Sequence, residues 1–163
     1  MAAVVAPAGR RRRGQAEPLR WRAAPDLQVR LRRIAATLDF RHVDPTRLRV
    51  VRTYGSRANA HAQIWGLARI FQRVLRLRAR YVVEVLMPAF GRLSRAEQDR
   101  VLIHELLHIP TTFSGALRPE RTRTFRITAA KVNKLYDRYR AARRRRTPRR
   151  RRGAARRESS RTV

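Results

Sequence analysis

The run Val101-Leu-Ile-His-Glu-Leu-Leu-His-Ile109 constrains the fold more than any other stretch of this 163-residue chain. Apart from Glu105 and the two histidines it is wholly apolar, in a chain where 32% of residues are charged. Leu, Ile and Val at that density cover a helix nearly all round, and such a helix has to be buried. Burial makes the polar residues informative, because two histidines and a glutamate in an apolar interior are costly without a purpose. Positions four apart on an α-helix lie on one face, one turn above the other. The imidazoles of His104 and His108 can therefore reach one tetrahedral Zn²⁺. Glu105 follows the first of them and projects beside the metal, where it can take a proton from bound water. This is the H-E-x-x-H spacing. The plain alternative is a helix with two incidental histidines.

Charge is the second constraint. The chain carries 41 Lys+Arg against 11 Asp+Glu, a net charge of +30. That excess predicts attraction to polyanions, either nucleic acid or an acidic membrane surface. Only Lys131 and Lys134 are lysines; the arginine preference suits phosphate forks. Cysteine is absent, which excludes disulfides and thiolate metal ligands. No apolar run reaches transmembrane length. The charges Arg10–Arg13 follow the mildly apolar Met1–Gly9, the reverse of a secretory signal, so a cytoplasmic protein is expected.

Three parts are expected along the chain: a disordered segment 1–17, a globular domain 18–140, and a disordered arginine-rich tail 141–163. Leu27, Leu31, Ile34, Ala35 and Leu38 recur at helical spacing and predict a helix from Asp26 to Leu38, with Arg30, Arg32 and Arg33 between the apolar positions. Trp21 is expected to pack near its start. Leu48–Tyr54 reads as a strand, Gly55-Ser56-Arg57 as a hairpin tip and Ala60–Gly66 as the return strand. A short amphipathic helix follows, with Leu67, Ile70, Phe71, Val74 and Leu75 on one side. Arg80–Leu86 is a third strand rich in β-branched residues. Ser94 and Glu97 form a capping box where the motif helix should begin, predicting Arg95 to about His108, with Pro110 as its stop. After a loop at 111–124, a last helix starts beyond Thr128 and buries Ala130, Val132, Leu135, Tyr136 and Tyr139. The layout is α+β: a small three-stranded, mainly antiparallel sheet packed on the buried motif helix, with flanking helices and disordered basic ends.

A catalytic zinc takes three protein ligands and a water. No histidine follows His108, so the downstream candidates are Glu120, Asp137 and Glu158. Asp137 is expected to pair along its own arginine-rich helix. Glu158 sits in the tail. His61 is read as a sheet-face residue, with oxyanion stabilisation as the other role open to it. His42, beside Asp44-Pro45, is read as a loop residue. The G-x-x-H continuation of metzincins is missing.

Taken together, His104-Glu-Leu-Leu-His-Ile-Pro110, the following Phe113-Ser-Gly-Ala-Leu-Arg-Pro119, the strand Tyr81-Val-Val-Glu-Val85 and Ile64-Trp65-Gly66-Leu67 resemble the phage and archaeal metallopeptidase family. The resemblance runs from about Leu27 to Tyr139. It implies a zincin-like fold, a Zn²⁺-dependent hydrolase of peptide bonds acting on a protein or peptide substrate, His104 and His108 as ligands, and Glu105 as catalytic base. The family pattern implies a histidine as third ligand near Arg118-Pro119, where this chain departs from it and has Glu120 as the substitute; a surface acid paired with Arg118, Arg121 or Arg123 is the alternative for that residue. An exposed strand edge such as Tyr81–Leu86 would bind substrate as an added strand, again by resemblance. The blocks Arg143–Arg146 and Arg149–Arg152 predict salt-sensitive, sequence-blind contact with DNA or RNA. The competing expectation for the whole chain is a non-catalytic nucleic-acid-binding protein whose metal site is structural or vestigial.

Overall fold

A computed structural model describes residues 18–146. The segment 1–17 and the block Arg149–Arg152 lie outside the described residues. The elements follow in the order β1 (Arg20–Ala23), α1 (Pro25–Thr37), β2 (Leu48–Tyr54), β3 (Ala62–Gly66), α2 (Arg69–Val74), β4 (Tyr81–Leu86), α3 (Ala89–Arg92), α4 (Arg95–Leu107) and α5 (Ala129–Arg146). The last helix runs on through Arg146, into the stretch expected to be tail.

The architecture is mixed α+β, and the sheet has four strands where three were expected, in the order β1-β2-β4-β3. The extra strand, β1, has no buried residue and hence no periodic signal. It exists because β2 offers it a free edge, pairing Arg20 with Tyr54 and Ala23 with Val51. The expected hairpin is not formed either. β4 lies between β2 and β3, parallel to the first and antiparallel to the second. The reason is burial. β4 is covered on both faces, with five of its six residues buried, so it takes the interior of the sheet. Two of the three pairings are antiparallel.

One continuous core joins the layers. Leu27, Leu31, Ile34 and Ala35 of α1 meet Leu48 and Val50 of β2, Tyr81, Val83 and Val85 of β4, and Leu102, Ile103 and Leu106 of α4; Val132 and Tyr139 of α5 close it. The opposite sheet face is held by a carboxylate. Glu84 accepts hydrogen bonds from Trp21 Nε1 (3.1 Å), Thr53 Oγ1 (2.5 Å) and Trp65 Nε1 (2.6 Å). Trp21 is thus no core aromatic at the start of α1. It is more than half exposed on the edge strand, with its indole N–H turned inward.

Arg30 departs from the expected pattern most sharply. It sits among the arginines of α1, yet it is only 3% exposed. Its guanidinium donates to Asp99 Oδ1 (2.6 Å), Gln98 Oε1 (2.7 Å) and the Arg95 carbonyl (2.7 Å). Three donors are thereby answered by three acceptors on α4, which ties the first turn of that helix to α1.

Candidate metal centre

α4 starts where its side chains satisfy its own first amides. Ser94 Oγ accepts from Glu97 N (3.3 Å), and the Glu97 carboxylate accepts from Ser94 N (2.8 Å). The helix ends at Leu107, with His108 as its C-cap. His104 and Glu105 therefore occupy the last turn. Leu102, Ile103, Leu106 and Leu107 are buried around them.

His104 Nε2 and His108 Nε2 lie 3.2 Å apart. Glu120 Oε1 lies 3.5 Å from His104 Nε2. The three ligand atoms all fall within 4.8 Å of one another. Bonds of about 2.0–2.1 Å to a tetrahedral ion put neighbouring ligand atoms about 3.3 Å apart, so the two short separations match edges of such a tetrahedron. Tautomers agree with this. His108 Nδ1 is 2.7 Å from the Arg118 carbonyl oxygen. A carbonyl only accepts, so Nδ1 carries the proton, and the Nε2 lone pair is left facing the cluster. The donor set thus fits a divalent metal.

Glu120 lies twelve residues beyond the second histidine, and the fold of the intervening loop is what brings it back. The Arg118 amide donates to the His108 carbonyl (2.7 Å), so His108 holds the returning chain through both backbone and ring. Tyr81 Oη donates to the Ala116 carbonyl (2.8 Å) and accepts from Gly115 N (2.8 Å). Gln72 Nε2 donates to the Ser114 carbonyl (2.9 Å). The loop passes so close to β3 that a Cβ on Gly66 would lie 2.1 Å from the Gly115 oxygen. Gly115 itself has φ +85°, a conformation that suits glycine. Phe113 is held at φ 45°, with its ring packed edge-on against Tyr81 at 4.8 Å. A bulky residue stays in that region only where its surroundings over-determine it. Beyond Glu120 the chain turns back again, and Ile127 N donates to the Glu120 carbonyl (2.7 Å).

Glu105 is 6% exposed, and what remains of its surface opens on a cleft of about 560 Å³. Burial, then the charge of Glu120, pushes its pKa up to about 7. Burial, then His108, draws His104 below the ordinary histidine value, with Glu120 opposing. The cleft is also lined by His104, Glu120, Ala60, His61 and Ala62 on the β3 side, and by Val132 and Asn133 of α5.

Of the four residues singled out from sequence, His104, Glu105 and Glu120 line that cleft, and the ligand atom of His108 lies within 4.8 Å of those of His104 and Glu120. His61 stands at its rim just before β3. His42 lies in the α1–β2 loop, and burial followed by the Arg118 charge lowers its pKa. Asp137 is exposed on α5, away from the cluster, and Glu158 lies outside the described residues. The strand edge was misplaced: β4 is paired on both sides, and the free edge beside the cleft belongs to β3. Sequence reasoning also missed Tyr81 and Gln72, which pin the loop. Their partners are backbone atoms far along the chain, which leave no residue-type signal.

A mixed α+β domain that gathers two imidazoles and a carboxylate beside a second, buried carboxylate has a site able to hold a metal. The family described as "Putative phage metallopeptidase" matches residues 19–147, and the chain belongs to that family. Its name points to a metal-dependent peptidase. Neither the curated proteins nor the solved structures contain a match to this chain.

Proposed function

We propose that this protein is a zinc metallopeptidase of the zincin type. His104, His108 and Glu120 hold the ion, and Glu105 is the general base. The observation that carries the proposal is the pair of Nε2 atoms 3.2 Å apart beside a buried carboxylate that borders the cleft. Two imidazoles and a carboxylate are a zinc donor set of the catalytic kind, with a position left for water. Zinc held there supplies Lewis acidity and brings water deprotonation into the neutral range. Glu105, buried next to His104 and bordering the cleft, takes a proton from the attacking water and returns it to the leaving amine nitrogen.

The substrate is read as an extended peptide lying along β3. Leu86 N donates to the His61 carbonyl and Leu67 N to the Arg80 carbonyl. Alternation along an antiparallel pair then turns the amides and carbonyls of Ala62 and Ile64 toward the open edge, where an added strand finds partners. His61 at the rim is close enough to the cleft to contact the reacting carbonyl or the peptide beside it. The arginine-rich tail is read as an electrostatic tether to DNA or RNA, resting on the net charge of +30.

Metal content and cleavage of an unstructured protein such as casein, measured on wild type and Glu105→Gln, test the proposal. One zinc per chain in both, with cleavage in the wild type alone and its loss on chelation, is the expected result. Stoichiometric zinc without cleavage of any protein tried, DNA-bound ones included, would leave a non-catalytic nucleic-acid binder in its place.

A further inference from the structure

The segment from Leu67 to Arg80 carries five arginines (Arg69, Arg73, Arg76, Arg78 and Arg80) and no acidic residue. Its helix, α2, has no buried residue. Ile70, Phe71, Val74, Leu75 and Leu77 are exposed, from 41% at Leu77 to 70% at Val74. The apolar side that helical spacing predicts is present, yet it faces solvent and not the core. Gln72 ties α2 to the body by donating to the Ser114 carbonyl (2.9 Å), and it also donates to the Leu67 carbonyl of its own segment (2.6 Å). Among the described residues, none of the five arginines is in a salt bridge. Clustered apolar side chains of this size left in water mark a docking surface.

We infer that α2 and the turn after it dock this protein on an anionic lipid bilayer surface. The chemistry of the patch selects among occupants. A second copy of the chain would bring two arginine clusters face to face without a countercharge. A nucleic-acid duplex would answer the arginines with phosphates, but its bases are stacked inside and its backbone offers Ile70, Val74 and Leu75 little apolar surface. An anionic bilayer answers both, with phosphates at the level of the guanidinium groups and acyl chains a few ångströms deeper. Attachment would be peripheral, since no helix among the described residues is long and apolar enough to cross a membrane. The inference does not depend on the metal site.

Flotation of the full chain with phosphatidylcholine vesicles, with and without phosphatidylglycerol, tests it. Binding is expected only with phosphatidylglycerol. The triple variant Phe71→Ser, Val74→Ser, Leu75→Ser changes exposed side chains alone, and its vesicle binding is expected to fall by roughly tenfold or more. Its binding to duplex DNA is expected to stay the same. Undiminished flotation of the variant would overturn the inference, because charge without insertion would then suffice. So would loss of DNA binding with flotation intact, or loss of a wild-type dimer with flotation intact. A second readout covers a variant that folds poorly. The chain has no cysteine, so Val74→Cys gives a unique label site, as does the exposed Val29→Cys on α1. An environment-sensitive fluorophore should shift to the blue on anionic vesicles at position 74 and not at position 29. No shift at 74, or equal shifts at both, would also overturn it.

Discussion

Glu105 makes the case for function at the scale of one residue, because nothing in a core asks for a carboxylate there. Raising its pKa from 4.5 to about 7 means that the folded chain binds more protons than the unfolded chain between those values. Stability of the metal-free protein must then fall as pH climbs through that window. Glu105→Gln removes the ionisation, so in chelator the variant should be the more stable form above about pH 7, by roughly 3 kcal/mol, and the gap should shrink toward about pH 4. Urea melts at both ends of the range check the sign; a gap that widens on acidification would contradict the assignment. Glu120 is tested separately. It is exposed and reaches the cluster only through its loop, so Glu120→Ala should weaken zinc by roughly tenfold or more in calorimetric titration. An unchanged affinity would return Glu120 to the surface acids, paired with arginine or with none. His104 and His108 could be paired from sequence because four residues make one helical turn. Glu120 could be named only by resemblance, because no local rule connects it to them.

At the scale of elements, α4 presents the site and two devices hold it in place. One is Arg30, whose buried pair with Asp99 fastens α4 to α1. Arg30→Ala would strand a buried carboxylate and should cost roughly 3–5 kcal/mol in equilibrium unfolding. Replacing both partners with apolar residues should cost far less, since no charge is then left alone. The other device is the Gly115 turn. An added Cβ there meets Gln72 Nε2 at 2.2 Å and the Leu67 carbonyl at 2.3 Å, in a backbone conformation that already suits only glycine. Gly115→Ala should therefore destabilise by more than about 1 kcal/mol. It should also weaken metal binding, because the same loop carries Glu120 and the carbonyl that orients His108. Lost stability with unchanged metal affinity would uncouple the loop from the site. Several elements could be read directly from the chain. β2 has the expected bounds, Leu48–Tyr54, and the capping box at Ser94 starts α4. β1 could not, because a four-residue exposed strand carries no alternation to read.

For the whole molecule, the site and the fold should be linked through the metal. A ligand that binds only the folded state stabilises it by about 2.7 kcal/mol at a hundredfold excess over its Kd. Zinc should thus raise the melting temperature by several degrees and chelator should reverse it. The double variant His104→Ala, His108→Ala should melt at one temperature with or without zinc; a shift that survives would put the ion elsewhere. Sequence alone marked the motif helix, its cap, the strand-forming segments of β2, β3 and β4, and the H-E-x-x-H run inside that helix. Each of these rests on periodicity or capping within a few residues, which local backbone geometry imposes whatever surrounds it. Tertiary structure decided the rest: β4 between β2 and β3, Arg30 inside and the α2 face outside, and Glu120 beside His104. Those outcomes depend on which surfaces compete for burial and which backbone groups need partners, and such contests are settled between segments distant along the chain.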